Sequence, residues 1–330
     1  MKPSPAFEFP PEQDRALHRA RRLEWLTLAF LATTSLVLYL VMGSSQAMKT
    51  AWVEDLLSFV PPIVFLVATR IAIWPPSKRF PYGYHRAISI AFLCAALALF
   101  MTGGWLLTHA LLGLVRFEHP TIGGITLFGQ TFWLGWLMLP ALVWSTVPAV
   151  LLGRAKLPLA STMHDKVLHA DALMNKADWL TALAAMVGVV GIGFGIWWAD
   201  AAAAALISLD IMHDGYTNLR EVVTNLMNET PKTVDRSQRD PLPDRVADHL
   251  RQIAWIDDAE VRMREEGHVY FGEAFVVVND ETDLPEKLYR ATQNCIDLDW
   301  RLHDLVLIVV PAIETHARRP DDLEQSRPIG

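Results

Sequence analysis

The feature that most restricts this chain is a succession of long apolar runs. Six of them fall near 24–43, 51–73, 88–115, 126–153, 167–197 and 200–224, the last less apolar than the others. Each is about 20 residues or longer, the length a helix needs to cross the hydrocarbon core of a bilayer. In lipid a backbone must satisfy its own hydrogen bonds, so such runs are helices or nothing stable. The expected fold is therefore an all-α six-helix transmembrane domain over 24–225, preceded by a polar, flexible N-terminal arm over 1–23. The arm, "MKPSPAFEFPPEQDRALHRARR", has no cleavage pattern before the first run, so that run is expected to stay in the protein.

Charge in the short segments between runs orients the bundle. Arg19, Arg21 and Arg22 precede the first run; Arg70, Lys78, Arg79 and Arg86 lie between the second and third; Arg154, Lys156 and Lys166 lie between the fourth and fifth. The alternate segments carry only Lys49 and Arg116. The excess of Lys and Arg on one side predicts cytoplasmic N- and C-termini in a multi-pass inner (plasma) membrane protein, which an even number of spans also requires. Trp52 and the Trp197–Trp198 pair fall where an outer aromatic belt is expected. Two cysteines, Cys94 and Cys295, form neither a disulfide framework nor a CxxC site. The net charge of −7 says little, and the basic residues are scattered, so nothing suggests a nucleic-acid partner and none is expected. No nucleophile–base set, phosphate loop or cofactor motif points to an enzyme.

After a polar, proline-containing linker at 226–241, residues 242–315 read as a small cytoplasmic α+β domain. "PDRVADHLRQI" places Val246, Leu250 and Ile253 on one helix face. "DAEVRMREE" and "HVYFGEAFVVVND" read as two strands joined near Gly267, followed by the helical "LPEKLYRATQNCIDL" and the buried strand "DLVLIVVP". The order α-β-β-α-β suits a two-layer, ferredoxin-like domain. Residues 316–330 are expected to be disordered.

Three stretches carry a family resemblance: "FPYGYHRA" (80–87), "ADALMNKADWLTALAAMVG" (170–188) and "WWADAAAAALISLDIMHDGYTNLREVV" (197–223). They resemble the basic loop and the fifth and sixth helices of the cation diffusion facilitator family over roughly 24–315. The resemblance implies a homodimeric divalent-cation/proton antiporter that exports Zn²⁺, Co²⁺ or Cd²⁺ from four ligands, two each from the second and fifth helices. Carried over by spacing, those places are Glu54 and Ser58, and Met174 and Asp178. Two side chains four apart on each of two facing helices suit a tetrahedral site, and ligands that titrate let protons replace metal. Here a Met stands at the family's His place and a Ser at an acidic one, a departed quartet. A thioether and a hydroxyl make a weaker shell, which leaves Mn²⁺, Fe²⁺ or a monovalent ion open. Asp178 lies about 18 Å from the start of its helix at about 1.5 Å per residue, deep in the bilayer. Pro61–Pro62 should bend the second helix just beyond Ser58.

Other polar groups compete for roles. His109, Asp210, His213 and Asp214 are a second polar cluster, with Asp210 near mid-depth and within reach of His109 if the third and sixth helices are neighbours. They are either a relocated cation or proton path or a set of packing contacts. Asp165 and His169, four residues apart, mark a cytoplasmic mouth that is either a cation access point or a solvated helix start. Asp171 reads as a helix-packing or mouth residue, and Asp55 as pointing away from Glu54. In the small domain, the family's additional metal-ligand places hold Glu260, Phe275 and Val310, and His249, His268 and His303 lack ligand spacing. That domain is expected to dimerise by packing, without a bound metal or other cofactor. The leading reading is a membrane cation transporter with lipid, a divalent cation and protons as its partners. The alternative is a transport-deficient or altered-specificity membrane scaffold of the same fold.

Overall fold

The computed structural model describes residues 9–117, 122–127 and 130–313, with the side chains of 125–127, 130 and 176–178 outside that description. The expected disorder of 316–330 also lies outside the described residues. The chain divides into two units, one of Met1–Gln238 with Glu265–His268 and one of Arg239–Arg264 with Val269–Gly330.

The first unit is a bundle of α1 (Pro11–Val41), α2 (Gln46–Leu57), α3 (Val60–Ala72), α4 (Ala87–Val115), α5 (Gly135–Met163), α6 (Lys166–Gly193) and α7 (Ala199–Leu226). Among the described residues, five segments are long and apolar enough to cross a membrane: α1, α2 with α3, α4, α5 and α6. The sixth expected run is a helix, α7. It carries Asp200, Asp210, Asp214, Arg220 and Glu221 along its length and stands outside those five. Large apolar side chains such as Leu40, Met101, Trp105, Trp144, Leu151 and Leu206 are exposed around the bundle. So much exposed apolar surface in water marks an interaction surface; on these helices it suits lipid.

Several expected boundaries move, each for a physical reason. α1 begins at Pro11, and Leu17 and Ala20 are buried, so much of the expected arm is helix. The second run is broken into α2 and α3 at Ser58–Phe59, immediately before Pro61 and Pro62, which lack the N–H groups to continue the ladder. The fourth run does not begin as helix. Residues Gly124–Leu127 and Gln130–Trp133 form β1 and β2, paired antiparallel. Lys156, counted above among the orienting loop charges, lies within α5 and is wholly buried.

Small residues set the closest helix approach. A Cβ on Gly103 of α4 would stand 2.8 Å from the Met212 backbone N of α7, and one on Gly215 of α7 would stand 2.5 Å from the Phe100 backbone N of α4. The paired glycines let α4 and α7 lie side by side, as expected for the third and sixth runs. At the other end of α7, Asp200 is buried and caps a different helix. Its Oδ1 accepts from Ser45 Oγ at 2.6 Å and from Ala47 N at 3.2 Å, and its Oδ2 accepts from Gln46 N. Two orphan N–H groups at the start of α2, and the hydroxyl of its N-cap Ser45, are thereby tied to α7.

The second unit holds α8 (Leu242–Arg251), β3 (Ile256–Glu266), β4 (Val269–Val278), α9 (Leu284–Ile296) and β5 (Leu302–Val309), with sheet order β3-β4-β5. The α-β-β-α-β order agrees with the sequence. β4 and β5 pair in parallel, which requires the α9 crossover. Gly267, at φ +67°, turns the chain between β3 and β4. The core gathers Leu242, Val246, Leu250, Ala274, Val276, Cys295 and Leu305. Buried Tyr270 donates to Asp240 Oδ2 at 3.0 Å, and Arg301 pairs with the same carboxylate at 2.6 Å.

Candidate cation site between α2 and α6

Glu54 sits two turns into α2 and faces α6, where Thr181 Oγ1 donates to its Oε1 at 3.0 Å. A Thr hydroxyl aimed at a carboxylate inside a helix bundle fixes that carboxylate's orientation and offers a further oxygen to a bound cation. Glu54, Asp55, Ser58, Ser145, Thr146 and Thr181 line one small cavity, closed on its apolar side by Leu38, Ala51, Leu142 and Ala182. The walls therefore come from α1, α2, α5 and α6.

Ser58 ends α2. Its hydroxyl donates to the Glu54 backbone carbonyl at 3.0 Å, leaving its oxygen lone pairs for the cavity. Met174 is partly buried and packs against the apolar core shared by α1, α2, α4, α5, α6 and α7. Position 178 lies in α6, one turn before Thr181 on the same helix face, while the Asp178 side chain lies outside the described residues. Asp55, expected to point away, lines the same cavity and is held from α1 by Thr34 Oγ1 at 2.6 Å and Ser35 Oγ at 3.3 Å. Asp55 and Thr181 are the members that sequence reasoning missed. Thr181 was detectable as the hydroxyl one turn from Asp178; Asp55 was not, because its partners are about 20 residues away on another helix.

Of the second polar cluster, His109 stacks edge-on against Trp105 at 5.2 Å and is exposed on α4. Asp210 and His213 are exposed on α7, and half-buried Asp214 lies within range of both their charges. At the start of α6, Asp165 is buried and is the N-cap, accepting from Leu168 N at 2.8 Å, while His169 is half-buried. The buried cap replaces the expected solvated helix start. In the second unit Glu260 is exposed, and Phe275 lies beneath the Arg262 guanidinium at 5.0 Å. Among the described residues no three His, Cys, Asp or Glu side chains gather to hold a metal ion.

A membrane-helix bundle with a carboxylate held at the junction of α2 and α6 defines a class, the helical ion transporters. Residues 25–227 match the family model of the cation efflux transmembrane domain, and the chain belongs to that family, whose members are transporters rather than enzymes. It is 26% identical over 168 residues to an uncharacterized transporter of Methanocaldococcus jannaschii, covering 51% of this chain and 55% of that protein. It is 24% identical over 200 residues to the manganese efflux system protein MneS of Bacillus subtilis, covering 58% and 65%. It is 22% identical over 223 residues to a cadmium, cobalt and zinc/H(+)-K(+) antiporter of Bacillus velezensis, covering 64% of each. The matches thus span between about half and two thirds of these relatives' lengths.

Proposed function

We propose that the chain exports a divalent cation in exchange for protons, with Glu54 of α2 and Asp178 of α6 binding the cation and the protons in turn. One observation carries the reading. Glu54 meets Thr181 of α6 inside the bundle at 3.0 Å, so α2 and α6 face each other one turn from position 178. Ser58 and Met174 complete a reduced shell with water or backbone oxygen. Its donors are oxygen-rich and lack imidazole, and oxygen donors suit Mn²⁺ better than the Zn²⁺, Co²⁺ and Cd²⁺ of the family resemblance. The manganese role printed for MneS points the same way. In this reading α7 is a sixth span, both termini are cytoplasmic in the plasma membrane, the second unit is ferredoxin-like, and two copies pair through it.

The test is uptake of Mn²⁺, Zn²⁺, Co²⁺ and Cd²⁺ into proteoliposomes under an imposed pH gradient. Wild type should transport at least one of them. Glu54→Gln and Asp178→Asn should each fall to the level of empty vesicles. Met174→His should shift the preference toward Zn²⁺ by restoring a nitrogen donor. Absence of wild-type flux with any cation, monovalent ions included, would establish a scaffold that keeps the fold without transport.

A further inference from the structure

Three ionisable side chains from three helices meet where α1 enters its apolar stretch, α5 ends and α6 begins. Lys156 Nζ donates to Glu24 Oε2 at 2.8 Å and to Asp171 Oδ2 at 2.5 Å. Lys156 and Glu24 have no exposed surface and Asp171 is 3% exposed. Buried ions must be compensated to be tolerated. One ammonium against two carboxylates leaves a surplus negative charge, and a pair serving packing alone requires a single carboxylate. The surplus has an address: Glu24 Oε1 is buried and has no hydrogen-bond partner among the described residues. A proton on that oxygen makes the trio neutral.

Among the described residues, the charges acting on Glu24 come from Lys156, Asp171 and Asp165. α5 supplies Lys156, and α6 supplies Asp171 and, from farther off, Asp165, both negative. On α1 itself, Arg21 is engaged with the charges of Asp14 and of Arg70 from α3. The trio and the candidate cation site draw on the same face of α6. Positions 171, 175, 178 and 181 share one face of α6. Asn175 is buried on that stripe and donates to the Asp171 backbone carbonyl at 2.9 Å, and Thr181 reaches Glu54. Positions 171 and 178 are two turns apart, about 10 Å along the helix.

We propose that the Glu24–Lys156–Asp171 trio is a proton-binding site, distinct from the Glu54–Asp178 pair, which holds one exchangeable proton on Glu24 Oε1. On binding, a proton from water forms an O–H bond with an Oε1 lone pair, and the trio goes from one net negative charge to none. On release that bond breaks, the electron pair stays on Oε1 and the proton returns to water. Use of this proton in transport rests on the exchange reading above; its presence does not.

The experiment is infrared difference titration of the full chain in lipid nanodiscs, from acid to alkaline pH, with no cation added. Wild type should lose a carboxylic-acid carbonyl band on alkalinisation. Glu54→Gln should retain that band. Glu24→Gln, which still offers Lys156 an acceptor, should lack it and release one proton fewer per chain. Asp171→Asn leaves Glu24 as the single carboxylate on Lys156, so the band should be absent at neutral pH; this variant serves if Glu24→Gln fails to fold. A band unchanged in both variants, or no such band in wild type, overturns the proposal. A Glu24 band in a protein that transports no cation upholds the proton site and removes the exchange reading.

Discussion

A hydroxyl from α6 meets the carboxylate on which the transport reading depends. Thr181 Oγ1 donates to Glu54 from α6, and a hydrogen bond to a charged acceptor is worth about 1.5–3 kcal/mol net. Thr181→Val removes that bond at nearly constant volume. It should weaken apparent cation affinity about 10- to 150-fold, at about 1.4 kcal/mol per factor of ten, while leaving the thermal midpoint within a few degrees. Isothermal titration with Mn²⁺, alongside a thermal melt, checks both halves. The same scale shows what a linear reading loses. Glu54 was legible because its spacing to the "YGYHR" loop matches a family pattern. Its hydroxyl partner, 127 positions away, was not, because pairing across helices is a property of packing rather than of periodicity.

At the scale of elements, two features carry measurable consequences. The α4–α7 interface has no room for a side chain at Gly215, where a Cβ would stand 2.5 Å from backbone. Gly215→Val should therefore push the helices apart and cost about 1–3 kcal/mol by overpacking, seen as a lower melting midpoint and reduced protease resistance in detergent. In the second unit, burial raises the Cys295 thiol from 9.0 to about 11. A raised folded value stabilises the neutral thiol, and that contribution is complete below pH 9 and disappears as pH rises toward 11. Unfolding free energy should then fall by up to about 1.4 kcal/mol per pH unit over that window, and Cys295→Val should flatten the slope. Alkylation of Cys295 at neutral pH should be slow in the folded protein and fast in denaturant. Element order in this unit was legible throughout, since its strands are short runs rich in β-branched and apolar residues between polar turns and its helices show amphipathic faces. The β1–β2 hairpin was not: "GITL" and "QTFW" are apolar enough to merge into the following run, and only their shortness and alternation distinguish them from helix.

For the whole molecule, the apolar runs announced a membrane bundle because length and hydropathy are local properties. The functional polar groups were harder to place because each is compensated from a distant helix. Lys156 looked like a loop charge and proved to be an interior cation shared by Glu24 and Asp171. Asp200 of α7, more than 150 positions from its partners, caps α2. In the proposed exchange, Glu54 and Asp178 are the groups through which a cation is traded for protons. The most direct measurement is the pH inside proteoliposomes carrying a trapped pH dye, after a pulse of external Mn²⁺ or Zn²⁺ with no imposed gradient. The account predicts that cation influx drives protons out in wild type, so the lumen turns alkaline, and that Glu54→Gln gives no change. Cation influx with no movement of protons, or an undiminished signal in Glu54→Gln, would contradict it.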